Sequence, residues 1–476
     1  MKMKKRPGIR YVLALLLSVA LSGIFTISNA GAATTEQVNE VRNLLEQYHL
    51  NKPDNSNLND AVIDAMVESL HDPYTEYFNE EEWKRFSDSL EQTFVGIGIV
   101  MAEEAGGIYI EDVILGSPAE KAGLLPGDQI VSAEGKSVKG LALPEVQQKL
   151  RGEEGTLLKI GISRNGKTLT FTITRKSIQL PVATGQMMGD GIGYLSLSGF
   201  TSDAGELFRN QLVRLEQAGM KSLIIDLRNN GGGYVNAAQQ IAALFLKDGV
   251  LAHMKDRDGK DIPLPVQGEG RKYPVTILVN GGTASASELL AGALQDYGVA
   301  KLTGTQTFGK GVVQSIIPLE SGGVLKVTVQ EYFTPKGRTV NKKGLTPNHV
   351  VEGSGEQLIR GFRDAGGRAL TLKAGKGSVV VNGIRAAERE PAIQQGKVWY
   401  VNLRLAAAMA GAELTYDLKN RKITVKSKTK SYTLNINDKR LLIRNGWSLI
   451  DTRALNSLFA NVTAQTTGGQ LQLTSR

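Results

Sequence analysis

The chain is 476 residues long, more than one globular domain ordinarily holds. Its 41% hydrophobic and 22% charged residues are those of ordinary globular protein, and with no Cys a disulfide scaffold is excluded, so stability must come from packed cores. The formal charge is +9, but Met1 to Ala32 supplies five of those charges and no acid. The remaining +4, without a basic stripe interleaved with aromatics, argues against a dedicated nucleic-acid binder.

Residues 1–32 read as an export signal. Lys2, Lys4, Lys5, Arg6 and Arg10 precede the apolar run Tyr11 to Ile27, and Ala30-Gly-Ala32 offers a small-residue cleavage site. The competing reading is an uncleaved anchor, since the run nearly spans a bilayer. Either way the rest of the chain is expected outside the cytoplasm, and no second membrane segment follows. Residues 33–92 read as helical. Val38, Val41, Leu44, Leu45 and Tyr48 share one face, and Ala61, Ile63, Met66, Val67 and Leu70 nearly repeat it. Asp72-Pro-Tyr-Thr75 then leads into a helix over 80–90.

Residues 93–178 read as a small β-rich domain. Strands are expected over 98–102, 107–113, 128–133, 157–163 and 168–174. Ser117-Pro-Ala-Glu120 is a capping box with Pro at the first helical position, and a second helix is expected over 143–150.

Residues 179–353 read as an α/β core. Ser222-Leu-Ile-Ile-Asp226 is a buried strand, and Arg228-Asn-Asn-Gly-Gly-Gly233 leads into a helix. That glycine turn lacks Gly-Lys-Ser/Thr, so a phosphate cradle is weakly supported. A second apolar strand, Val275 to Val279, enters Asn280-Gly-Gly-Thr-Ala-Ser285, and Ser285-Ala-Ser-Glu288 opens a helix. Ser285 is either a cap or a nucleophile lifted from the sheet edge, where the helix head favours negative charge. A nucleophilic serine needs a base. The four His, at 49, 71, 253 and 349, lie in no glycine-rich presenting turn, no Gly-x-Ser-x-Gly elbow exists, and no metal-ligand spacing is present. Lys310, between Gly309 and Gly311, is the other candidate, against the alternative of a solvated loop lysine. To accept a proton it must be neutral, its pKa falling from about 10.4 to ~7–8. Phe308, Val312 and Val313 are apolar neighbours that could desolvate it. The amide of Gln314 could orient the amine, though a fully extended chain sets the two residues ~13 Å apart, so a bend or converging side chains are required. Otherwise Gln314 is a polar strand residue.

Residues 354–377 read as a Gly- and Arg-containing linker, partly helical. The tail 378–476 carries a two-copy pattern, Trp399-Tyr-Val-Asn-Leu-Arg404 echoed by Leu449-Ile-Asp-Thr-Arg453.

Gly282-Thr-Ala-Ser-Ala-Ser-Glu288 with Thr307-Phe-Gly-Lys-Gly-Val-Val-Gln314 resembles the carboxy-terminal processing proteases, the S41 serine peptidases. The resemblance runs from about Leu70 to Val351. It implies Ser285 as nucleophile, Lys310 as general base and Gln314 as the residue orienting it. It also implies an oxyanion hole from the N–H groups of Gly232 or Gly233 and of Ala286. Gly231 stands where the family commonly has Pro, and Asn348 where it usually has Asp. Phe94-Val-Gly-Ile-Gly-Ile99, Ser117-Pro-Ala-Glu-Lys-Ala-Gly-Leu124 and Pro126-Gly-Asp-Gln-Ile130 resemble a PDZ domain. A peptide would add beside Ile97 to Val100, its carboxylate on Gly96, Ile97 and Gly98, its side chains on Ile99, Val146 and Leu150. Arg151 would either couple groove to core or complement the helix dipole. The amino-terminal helices resemble the family's dimer arms, and the tail resembles the repeat domain named after the amino terminus of copper amine oxidases, with a wall-contact role.

The implied fold is α/β and multidomain: an N-terminal helical segment, a PDZ-like domain, an S41 core of ClpP/crotonase-like type and an α+β repeat domain. The implied function is an exported serine endopeptidase that binds protein C-terminal tails, needs no cofactor, and cleaves through an acyl-enzyme. The alternatives are a non-catalytic peptide-binding scaffold and a hydrolase of small esters or amides.

Overall fold

The structure is a computed structural model, and it describes residues 34–50, 55–104, 106–417, 419–427, 430–467 and 469–476. The export segment expected over 1–32 lies outside the described residues. Among the described residues no helix is long and apolar enough to cross a membrane. The chain divides into two compact units, Met1–His71 and Asp72–Arg476.

In the first unit, Thr35–Tyr48 and Asn55–Glu68 form a helical pair, with Arg42 Nη1 donating to Asn59 Oδ1 at 2.8 Å. Val38, Val41, Leu44, Leu45 and Tyr48 stay exposed on it.

The second unit is built on a six-stranded sheet in the order Ala183–Gly189, Ile192–Leu197, Ser222–Asp226, Val275–Val279, Ala300–Gly304, His349–Val350. Only the first pair is antiparallel. Ser222–Asp226 and Val275–Val279 are buried at every residue, as parallel strands covered on both faces must be. Strand alternation sorts their side chains. Leu223, Ile225, Ile277 and Val279 pack with helices Ala204–Gln217, Val235–Phe245 and Ala286–Asp296. Ile224 and Leu278 pack on the opposite face with helix Ser354–Asp364 and the C-terminal module.

The stretch 354–377 is therefore not a linker. Ser354–Asp364 buries Leu358, Ile359 and Phe362, whose spacing makes one apolar stripe over the sheet. Leu370–Gly375 is a strand between Ser378–Val381 and the last strand, Gln470–Ser475. The tail does contain two copies of a hairpin–helix–hairpin unit. They meet where Val398–Asn402 pairs antiparallel with Trp447–Asp451, Val401 opposite Ile450. Asn402 and Asp451 are equivalent caps, accepting from the N–H groups of Arg404 at 3.0 Å and Arg453 at 2.9 Å.

The 72–78 stretch is not a helical lead-in. Glu76–Phe78 is a strand on Val324–Phe333, within a second sheet that also holds Asp248–Asp256, Asp261–Gln267 and Val312–Pro318. The β-rich module has its own core around Ile110, Val146, Leu158 and Ile160. Its entry strand Thr93–Gly96 and exit strand Lys176–Gln179 pair antiparallel as a two-stranded ribbon.

Candidate active site

Ser285 heads helix Ala286–Asp296 with φ 56° and ψ −117°. A non-glycine residue there costs about 1–3 kcal/mol and persists only where its surroundings enforce it. The enforcement comes from both sides of the turn. Asn280 Oδ1 accepts from Asn229 N–H at 2.9 Å and Gly282 N–H at 3.0 Å. Buried Asn230 accepts on its carbonyl from Ala284 N–H (3.0 Å) and Ser287 Oγ (2.9 Å). The Ser285 hydroxyl makes no side-chain cap bond to its helix. Its oxygen is not consumed as a cap.

Glu288 does more than close a capping box. Its fully buried carboxylate accepts from the backbone N–H groups of Ser285 (3.0 Å), Gly309 (2.8 Å) and Lys310 (2.9 Å), and from the Thr307 hydroxyl. One anion thus fixes the main chain of the serine and of the lysine. Burial pushes its pKa up, against the pull of these donors. Tyr332, 1% exposed, adds a second clasp: its hydroxyl donates to Lys310 O at 2.9 Å and lies 3.2 Å from Ser285 O.

The Lys310 amine makes no ion pair or hydrogen bond among the described residues and lies 4.9 Å from the centre of the Tyr74 ring. Its pKa is depressed, first by burial and then by the positive charge of Lys326, with Asp72 pulling the other way. Lys326 is itself held by Glu76 at 2.7 Å. Phe308, a candidate source of apolar cover, is 58% exposed, whereas the Tyr74 ring lies against the amine. No hydrogen bond joins the amine to the Ser285 hydroxyl among the described residues. Such contacts commonly tighten only with substrate. His253 and His349 pair with Asp261 and Asp364, each at 2.8 Å.

The register shifts at Gln314, with the extra residue, Val329, on the partner strand, so the shift does not draw Gln314 toward Lys310. Gln314 Nε2 donates to Thr328 Oγ1 at 3.3 Å rather than contacting the lysine. Thr328 N–H in turn donates to Thr75 Oγ1 (3.1 Å), and that hydroxyl to Asp72 (2.6 Å).

Gly232 lies against the serine. A Cβ there would come within 2.9 Å of Ser285 Cβ and of Ala286 N, and its φ is +99°. Its N–H, however, donates to Asn230 Oδ1 at 2.9 Å, so it is not free for an oxyanion. Gly233 and Ala286 have no acceptor for their N–H groups among the described residues. Gly231 has open space where a side chain would go.

In the β-rich module, Ile99–Glu104 is an edge strand beside helix Leu143–Leu150. The carbonyls of Ile97 and Gly98 are taken by Ala119 N–H (2.8 Å) and Ile114 N–H (3.0 Å), while the N–H groups of Ile97 and Gly98 are free. Gly96 belongs to the ribbon, opposite Lys176. Val146 and Leu150, 0% and 5% exposed, belong to the module's core rather than to an open groove. Pro144, Glu145, Gln147, Gln148 and Lys149 of that helix are exposed, and Leu143 is partly buried against the same core. Arg151 is exposed, and the charge under the helix end is buried Arg175, donating to Leu150 O at 3.0 Å.

Sequence reasoning missed Tyr74, Asn230 and Tyr332, and took Glu288 only as a cap. Glu288 was within reach, three residues past the serine. Tyr74 and Tyr332 arrive from distant segments and carry no local signal.

Residues 191–351 match the family model described as Peptidase family S41, and residues 95–174 that of the PDZ domain. A relative named "Probable CtpA-like serine protease" from Staphylococcus aureus is 33% identical over 348 residues, spanning 72% of this chain and 69% of that protein. One of the same name from Staphylococcus saprophyticus is 35% identical over 322 residues, spanning 67% and 65%. Among solved structures, the photosystem II D1 C-terminal processing protease is similar at 27% identity and TM-score 0.42, over 67% of this chain and 94% of that one.

Proposed function

The chain belongs to peptidase family S41 as a CtpA-like serine endopeptidase with a PDZ domain, and from that premise we propose that Ser285 and Lys310 form its catalytic pair, acting through an acyl-enzyme on the tails of exported proteins. The observation that carries this reading is the buried Glu288 carboxylate, which holds the N–H groups of both residues, at 3.0 and 2.9 Å. A structural role alone would not require a strained serine whose hydroxyl caps nothing, clasped through its main chain to a lysine whose amine makes no ion pair among the described residues.

In the proposed reaction the neutral Lys310 amine moves from the Tyr74 ring to the serine and takes the Oγ proton as Oγ bonds to the substrate carbonyl carbon. The oxyanion faces the N–H groups of Ala286 and Gly233, whose fixed dipoles stabilise the developing charge. Lys310 then gives the proton to the leaving amine, the peptide bond breaks, and an ester remains on Ser285. Water, deprotonated by the same amine, attacks the ester carbon; the C–Oγ bond breaks as Lys310 returns that proton to Ser285 Oγ, and the acid leaves. Gln314 acts at one remove, through Thr328 and the 72–75 turn. Upstream, the substrate tail would add as a strand to Ile99–Glu104, its carboxylate on the free N–H groups of Ile97 and Gly98. The basic, apolar and small-residue order of 1–32 supports export.

Digestion of unfolded casein by the chain, beside Ser285→Ala and Lys310→Ala, tests the proposal. Wild type is expected to cleave and both variants to lose at least about a hundredfold in rate. Equal cleavage by all three would refute the pair.

A further inference from the structure

Two of the chain's three tryptophans, Trp399 and Trp447, line one open cavity of about 1530 Å³ in the C-terminal module. They reach it by separate routes. Trp399 stands in Val398–Asn402 opposite Gln394, and Trp447 opens Trp447–Asp451 opposite Arg444. The rest of the wall is the stretch 387–394 together with hairpin residues at 374–377, 444–445 and 469–470, with 352–354 also contributing. Nothing in the proposed peptidase reaction uses it.

The electrostatics of the wall narrow the ligand. Lys376, Arg389 and Arg444 are matched by Glu352, Glu388 and Glu390. The pairing is partly built in: Glu390 meets Arg444 at 3.4 Å and accepts from Asn445 Nδ2 at 2.7 Å, while Glu388, 7% exposed, accepts from Gly355 N–H at 2.9 Å. A polyphosphate or strongly charged peptide would leave its own charge uncompensated there. The volume exceeds the ~300–1,000 Å³ of a drug-sized pocket, so an extended ligand fits better than a small metabolite. The two indoles stand in a lining that also holds Pro391 and Ile393, and the polar residues offer amides and carboxylates together. Flat apolar faces alternating with mixed donors and acceptors suit a pyranose chain, whose rings are apolar on their faces and hydroxylated at their edges.

We infer that this cavity binds a neutral oligosaccharide, with sugar rings against Trp399 and Trp447 and hydroxyls on Asn445 and Glu390. The indoles supply the readout. In a Trp83→Phe background they are the only tryptophans left. The full chain is titrated with chitotetraose, and in parallel with cellotetraose and an unstructured peptide of similar mass, while indole emission is followed. A saturable change with either oligosaccharide is expected, weakened at least tenfold by Trp399→Ala or Trp447→Ala. Should an alanine variant fail to fold, Asn445→Ala, at an exposed turn, is expected to weaken binding severalfold with native circular dichroism retained. A flat titration with both oligosaccharides overturns the inference. So does a response to the peptide alone, or binding that none of the three substitutions alters.

Discussion

At the residue scale, the site is a problem of holding two weak groups near each other without neutralising either. Glu288 solves the geometric half by taking three main-chain donors and the Thr307 hydroxyl rather than the lysine amine, which is left without an ion pair among the described residues. Glu288→Ala would strip the acceptor from three buried N–H groups at about 1–3 kcal/mol for each left unsatisfied. Urea unfolding is expected to show a loss of at least that much, and casein cleavage to fall chiefly in kcat. A variant with wild-type stability would contradict the clasp. The electrostatic half is tested at Lys326, whose positive charge disfavours a proton on Lys310. Lys326→Met removes that repulsion, so the Lys310 pKa rises. Since the neutral amine is the active form, the rising limb of the pH–rate profile moves to higher pH and the rate at neutral pH falls. An unmoved or acid-shifted limb would remove Lys326 from the account. Ser285 and Lys310 were legible in sequence because glycines flank them in two separate turns. The tyrosine beneath the amine was not, because strand pairing of Glu76–Phe78 with Val324–Phe333, not local spacing, brings Tyr74 there.

At the scale of elements, the ribbon that carries the PDZ domain is rooted beside the glycine loop 231–233, where the proposal puts the oxyanion. Glu91 accepts from Ser202 N–H at 3.2 Å and Gln92 Oε1 from Ser198 Oγ at 2.8 Å. Between those serines, Phe200 N–H donates to Gly232 O at 2.9 Å and Phe200 O accepts from Tyr234 N–H at 2.7 Å. The Tyr234 phenol is pushed up to about 12, by burial first and then by Glu91. Peptide capture at the PDZ edge therefore has a short covalent and hydrogen-bonded route to the loop that borders Ser285. Replacing Glu91 and Gln92 together by Ala is expected to lower kcat severalfold on a tailed substrate while its KM and the affinity for an isolated tail peptide stay within twofold. A change in KM alone would mean that the ribbon only delivers substrate. The β-rich pattern and both helices of this domain could be read from capping boxes and alternation. Which face of Leu143–Leu150 is buried could not, since Val146, Leu150 and Leu143 are all apolar and only packing separates core from surface.

At the scale of the whole chain, the C-terminal module behaves as part of the enzyme body. The sheet face bearing Tyr194, Ile224 and Leu278 shares one core with Ser354–Asp364 and the tail repeats. Arg228, paired with Asp226 at 2.6 Å, also donates to Ser354 O at 2.9 Å, tying the root of the glycine loop 231–233 to that helix. Ending the chain at Gly353 would expose these side chains at roughly 1.5–3 kcal/mol each. The truncated protein is expected to aggregate, or to unfold well below the full chain in a thermal melt. A soluble, active truncation with an unchanged Tm would restore the linker reading. The repeat itself was visible in Asn-Leu-Arg and Asp-Thr-Arg, the two cap signals. Its docking was not, because strands buried on both faces look alike in sequence whichever partner covers each side.

The central claim is that a depressed Lys310 amine activates Ser285, and acylation reports on it directly. Incubation with a peptide p-nitrophenyl ester, quenched over time and read by intact-mass and peptide mapping, should show one acyl group on Ser285. Its rate should rise with pH through a single ionisation below the ordinary lysine value, and Lys310→Ala should abolish that ionisation and slow acylation at least about a hundredfold. Acylation of Ser285 at the same rate and with the same pH dependence in Lys310→Ala would contradict the account.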